Sequence, residues 1–171
     1  MPDNFRLLLL RHGKSSWDSS AKNDFDRPLD DRGHKDAARV GQYISRECPP
    51  ELIISSPALR ARQTCLAVCE QLNRNENTVR WQDDLYLASL NVLVSTLDSA
   101  MQKSKSLLLI GHNPGFDDLL EYLSGNELPL TDSGKLMTTA ALAVVEIPAG
   151  IVSLAEKCGQ LKRLVRPADL R

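Results

Sequence analysis

Residues 5–18 read FRLLLLRHGKSSWD. An apolar run, Phe5 and Leu7 to Leu10 broken only by Arg6, stops abruptly at Arg11-His12-Gly13. A short apolar run without polar alternation reads as a strand buried on both faces, as in parallel sheets covered by helices. The same layout occurs twice more. Leu52-Ile53-Ile54 leads into Ser55-Ser56-Pro57 and then Arg60, and Leu107 to Ile110 leads into Gly111-His112-Asn113-Pro114. Each time a buried strand delivers a cationic or titratable side chain at its carboxyl end. In open α/β sheets, ligands collect at those ends.

Working outward, the segments between these strands take helical spacing. After a polar loop over 13–31, the positions Ala37, Ala38, Val40, Gly41, Tyr43 and Ile44 predict a helix over 31–47, stopped by Pro49-Pro50. Ser56-Pro57 and Asn113-Pro114 each offer an N-cap followed by proline at the first helical position, predicting helices to about Leu72 and Ser124. Short strands are expected at 78–81 and 140–147, a helix at 89–101, and a last strand at 151–158 folding back across Pro148 to Gly150. The fold class is therefore α/β: a three-layer sandwich with a central, mostly parallel but mixed sheet and helices on both faces. A chain of 171 residues fits one domain, 1–171.

Composition narrows the functions. With 42% hydrophobic and 25% charged residues, the chain has the profile of a folded globular domain. A net charge of −1 provides no global field for nucleic acid or anionic membrane, so neither is an expected partner. The apolar runs are too short for a signal-peptide core or a membrane span, and a cytoplasmic location is the expectation. Cys48, Cys65, Cys69 and Cys158 form no C-x-x-C pair and read as small buried thiols.

If the three strands are parallel, Arg11, His12, Arg60 and His112 meet at one edge of the sheet together with two helix N-termini. Such ends attract anions through free N–H groups and the macrodipole. A phosphate dianion gives up several kcal/mol of hydration on entering a dry site. Bidentate arginine contacts, roughly 1.5–3 kcal/mol each, can offset that loss. Arg60 and Arg62 compete for this role. Residues two apart on a helix point roughly 200° apart, so only one can face the site.

RHG at 11–13, Arg60 within SSPALRARQT and His112 within GHNPG resemble the histidine phosphatase superfamily. The longer strings RHGKSSWD, DRPLDDRG, GHNPGFDDLL and MTTAALAVVE are similar to its SixA-type phosphohistidine phosphatase branch, over about residues 5–147. The resemblance implies a phosphoglycerate-mutase-like fold with no cofactor and no metal. It implies that neutral His12 accepts a phosphoryl group, that water then hydrolyses the phosphohistidine, and that Arg11, Arg60 and His112 hold the phosphate. The arginine charges are expected to keep His12 unprotonated, and its second ring nitrogen to donate to a backbone carbonyl. Arg27 and Ser15 are further candidate phosphate donors. Asp18 is a candidate acid, or a partner for Arg27. The substrate is a phosphorylated protein or a small phosphorylated molecule.

One departure bears on substrate. Many members of the superfamily carry a Glu acid where this chain has Leu87. An alkoxide leaving group needs a proton in the transition state, whereas the imidazole of phosphohistidine can leave already protonated. The missing acid tilts the expectation toward phosphohistidine in proteins, with the acid role left open between Asp18, Asp83, Asp84 and water.

Other readings are weaker. Gly13-Lys14-Ser15 mimics the end of a P-loop, but Leu8 stands where its first glycine is required. The histidine spacing fits no metal motif, and adjacent arginines repel cations. A phosphoprotein-binding module without turnover would use the same pocket. His34 reads as a solvated side chain, and Trp17 and Phe25 as loop packing. Thr138 and Thr139 read as a strand start, and the basic tail of Lys162, Arg163, Arg166 and Arg171 as solvated.

Overall fold

The computed structural model describes residues 3–170. Six strands form one sheet: β1 (Phe5–Arg11), β2 (Leu52–Ser55), β3 (Val79–Trp81), β4 (Ser106–Gly111), β5 (Leu142–Ile147) and β6 (Gln160–Val165). Four helices accompany them: α1 (Asp31–Glu47), α2 (Leu59–Gln71), α3 (Leu90–Met101) and α4 (Gly115–Ser124). The strand order is β3-β2-β4-β1-β5-β6. β1, β2, β3 and β4 pair in parallel, while β5 runs antiparallel to both β1 and β6.

The unbroken apolar runs follow from burial on two faces. Leu7 and Leu9 of β1 and Leu107 and Leu109 of β4 pack with Leu93 and Leu97 of α3 and Leu119 and Leu120 of α4. Their neighbours Leu8, Leu10, Leu108 and Ile110 pack with Val40 and Ile44 of α1 and Ala61, Cys65 and Val68 of α2. Alternate side chains thus enter opposite layers, which is why no polar residue falls within Leu7 to Leu10 or Leu107 to Ile110.

Three expected boundaries move. The last strand lies at Gln160–Val165 instead of 151–158, because the chain from 148 to 159 forms turns before it returns beside β5. Helix α2 starts at Leu59 with Ala58 at its cap, and Ser56 Oγ accepts Ala58 N–H at 3.2 Å just ahead of it. Helix α4 starts at Gly115 with Pro114 at its cap. Asn113 donates its side-chain amide to Met137 O at 3.0 Å instead of capping the helix. By contrast, Asp30 caps α1 by accepting Gly33 N–H at 2.8 Å.

The basic tail is also more ordered than its composition implies. Arg166 donates to the carbonyls of Pro129 and Leu136 at 2.6 and 2.9 Å, and Arg163 donates to Tyr43 Oη at 2.7 Å. Lys162 pairs with Glu146 at 3.6 Å. Arg171 lies outside the described residues.

Backbone bonds continue past the strand ends and lock the three loops together. His12 N–H donates to Gly111 O at 3.0 Å, Ser56 N–H to Ile110 O at 3.0 Å, and Ala140 N–H to His12 O at 2.9 Å. The loop after β1 also lies hard against the first turn of α1. A Cβ on Gly33 would fall 2.1 Å from Lys14 O, and one on Gly13 would fall 2.8 Å from Gly33 O. Only residues without a side chain let α1 approach this closely.

Candidate active site

The carboxyl ends of β1, β2 and β4 surround a cavity of about 360 Å³. Arg11, His12, Ser15, Arg27, Arg60 and His112 all line it. The strand register accounts for the meeting, since Arg11 pairs with Gly111 and Ser55 with Ile110. A cleft of about 400 Å³ beside Arg6, Tyr43 and Glu47 contains no histidine.

His12 is 6% exposed and its tautomer is fixed from both sides. Its Nδ1 lies 2.7 Å from Gly13 O, which can only accept, so Nδ1 carries the proton. Arg60 Nε donates to the other nitrogen, Nε2, at 3.3 Å. The imidazole pKa is lowered to about 4, first by burial and then by the charges of Arg60, Arg11 and Arg27, against the bond to Gly13. The arginines act as expected, but desolvation outweighs them.

In the anion-free protein, ring-resolved NMR titration is expected to find the His12 midpoint near pH 4. A midpoint near 6.5 would contradict the burial argument. The unfolded chain takes up that proton near pH 6.5. The unfolded state therefore binds more protons between about 4 and 6.5, and acidification through this window lowers stability.

His112 is 3% exposed, with its ring centroid 5.2 Å from that of His12. Its Nε2 lies 2.8 Å from Ser56 Oγ, and its Nδ1 is buried without a partner among the described residues. Burial, then His12 and Arg60, lower its pKa to about 3.

Arg60 is held on the first turn of α2. Thr64 Oγ1 donates to Arg60 O at 2.8 Å and accepts Gly13 N–H at 3.0 Å, tying this helix to the loop after β1. Arg62 faces outward and pairs with Glu76 at 3.2 Å, as helix phase requires. Arg11 donates to Met137 O at 2.9 Å, and its Nε is buried without a partner. Arg27 donates to Ser15 Oγ, and its guanidinium sits 3.8 Å over the Trp17 ring.

Some expected residues lie elsewhere. Asp18 is exposed and does not line the cavity, and Arg27 pairs with Asp24 rather than with it. Asp83 and Asp84 are exposed and also outside it. Leu87, at the position of the missing acid, does line the cavity and is 54% exposed. Trp17, 80% exposed, lines the cavity as well as stacking on Arg27 of the same loop. Thr139 lines it too, in the turn that precedes β5.

Sequence reasoning missed Asp24, Tyr86, Ser56 and Thr64. Asp24 lines the cavity and pairs with Arg60 at 2.9 Å and Arg27 at 3.1 Å. Only its i,i+3 spacing from Arg27 hinted at this. Among the described residues, no group of three or more His, Cys, Asp or Glu could hold a metal, and no helix is long and apolar enough to cross a membrane.

The profile of the histidine phosphatase superfamily (branch 1) matches residues 7–86. An uncharacterized chloroplastic protein of Arabidopsis thaliana is 34% identical over 134 residues, covering 73% of this chain but only 62% of the plant protein. The crystal structure of SixA from Agrobacterium tumefaciens is 29% identical with a TM-score of 0.79, over 95% of this chain and 99% of that one. The protein histidine phosphatase SixA complexed with tungstate shares the fold at 22% identity and a TM-score of 0.80, over 98% and 100% of the two chains. Over residues 7–86 the chain therefore carries the sequence pattern of the histidine phosphatase superfamily. Over nearly its whole length it shares the fold of the SixA structures.

Proposed function

We infer that this chain is a phosphatase that passes a phosphoryl group through His12, and that its substrate is phosphohistidine in a protein. The observation that carries the reading is the fixed tautomer of His12, whose Nε2 lone pair faces Arg60 in a cavity also lined by Arg11, Arg27 and His112. The SixA match solved with tungstate, an oxyanion, supports an anion as the occupant.

Each residue then has a derived task. Nε2 attacks phosphorus, the new P–N bond forms, and the bond to the substrate's nitrogen breaks. That imidazole leaves as a neutral ring because its other nitrogen already holds a proton. Water then displaces His12 and releases orthophosphate. Arg11 and Arg60 bind the equatorial oxygens, with Arg27 and Ser15 extending the cradle. Ser56 Oγ accepts Ala58 N–H and lies 2.8 Å from His112 Nε2, to which it can give its own proton. When Ser56 donates, His112 Nδ1 carries the proton and is a buried donor without a partner among the described residues, which a phosphate oxygen would satisfy.

The cavity's carboxylate supports the choice of substrate. Asp24 is held at a pKa of about 2 by the Tyr86 hydroxyl and the two arginines, so it has no proton to give an alkoxide. Turnover of a phosphohistidine protein is expected to exceed that of alkyl phosphates by at least about a hundredfold, the usual scale of one general acid. Parallel measurement of kcat/KM on both substrates tests this. Faster cleavage of the alkyl ester would overturn the substrate assignment.

A further inference from the structure

The Asp24 carboxylate occupies the donors that an incoming phosphate needs. Its Oδ2 accepts from Arg60 Nη2 at 2.9 Å and from the Tyr86 hydroxyl at 2.5 Å, and its Oδ1 accepts from Arg27 Nη2 at 3.1 Å. Two arginines and a phenol thus converge on one carboxylate inside the cavity. Arg60 Nη1 also donates to the Asp24 carbonyl at 2.7 Å. Its outer nitrogens are therefore taken up by this one residue, while Nε faces His12.

We propose that Asp24 is a resident anion of the phosphate subsite. Its carboxylate holds Arg27 and Arg60 and must swing aside before a phosphoryl group binds, so it sets how tightly the site retains phosphate. This rests on the reading of the cavity as a phosphate site.

The local structure permits the swing. The side chain of Asp24 is 42% exposed, whereas that of Arg60 is 3% exposed, so the carboxylate is the partner with room to move. The backbone need not follow. Leu59 N–H donates to Phe25 O at 2.9 Å, and Arg60 holds the Asp24 carbonyl, which fixes the loop at the head of α2. A change of side-chain rotamer is enough to free both guanidinium groups. A phosphate dianion then replaces a monoanion on the same donors, and the two negative charges repel if both stay.

The consequence concerns the product. Orthophosphate stays on two arginines unless something takes its place, and Asp24 is positioned to do so. The carboxylate weakens retention of substrate and product phosphate alike, which favours release after the second step. This is a positioning role, since Asp24 acts through Arg27 and Arg60.

Calorimetric titration with orthophosphate tests the proposal without depending on turnover or on the choice of substrate. Asp24→Asn is expected to bind orthophosphate about tenfold or more tightly than the native protein, the scale of one charge-assisted hydrogen bond removed from a competitor. Tyr86→Phe, which loosens the carboxylate without removing it, is expected to tighten binding by a smaller factor. Phosphate inhibition of turnover should move to lower concentration in the same order. If Asp24 merely holds Arg60 in place, both variants bind phosphate more weakly, and that result, or unchanged affinity, overturns the proposal. Absence of binding in all three proteins would overturn the phosphate-site reading, and the proposal with it.

Discussion

Replacing His12 by alanine is expected to abolish turnover, with a loss of roughly 10⁴-fold or more, the scale seen when a nucleophile is removed. The size follows from the geometry. His12 Nε2 is the lone pair that Arg60 Nε addresses, and the neighbouring ring nitrogen of His112 within hydrogen-bond reach of a partner is taken up by Ser56. Exposure to a protein labelled on phosphohistidine should leave acid-labile phosphate on the native chain and none on His12→Ala. The variant should still bind orthophosphate, because Arg11, Arg27 and Arg60 remain. Normal turnover in the variant would refute covalent catalysis through His12.

Arg60→Lys is expected to lower kcat/KM by roughly 10²–10³-fold, comparable to losing a preorganised transition-state donor. Lysine keeps the charge but not the fork. Arg60 engages His12 through one nitrogen and Asp24 through two others, a geometry a single ammonium cannot reproduce. Arg62→Lys provides the contrast. Arg62 pairs with Glu76 and lies 5.1 Å over the Trp81 ring, away from the cavity, so kcat/KM should stay within about twofold, the range of a surface substitution. Steady-state kinetics on both variants decides the matter, and near-native kcat/KM in Arg60→Lys would show that charge rather than orientation is what counts.

The fold was legible because its strands are buried on both sides. Unbroken runs such as Leu7 to Leu10 and Leu107 to Ile110 have one cheap reading in a chain of this size, and helical spacing fills the gaps between them. The strand at 160–165 was not legible. It lies at the sheet edge with Lys162 and Arg163 exposed, so its composition mimics a solvated tail. Proline also proved an imperfect marker of helix starts, displacing α2 and α4 by a residue or two, since Ser56 and Asn113 serve other partners.

In the cavity, the residues that sit at strand ends could be placed by register, as His12 and His112 illustrate, whereas helix phase left Arg60 and Arg62 open and the family resemblance selected Arg60. Those that reach the cavity from loops could not be placed. Asp24 meets Arg60 across 36 positions and Tyr86 across 62, and no spacing rule encodes such contacts. Asp18 was an attractive carboxylate for Arg27, but the loop turns it out to solvent and brings Asp24 in.

The strand order also bears on how the chain avoids its own kind. Its most adhesive segment, FRLLLLR, lies in the interior of the sheet between β4 and β5, where both of its backbone edges are already paired. The two strands left at the rims are poor templates for another molecule. One, β3, has three residues, and the other, β6, presents Lys162 and Arg163. A short rim and a charged rim are the usual guards against edge-to-edge growth. Self-association should therefore become a hazard if β5 and β6 peel away from β1 and leave its backbone edge unpaired.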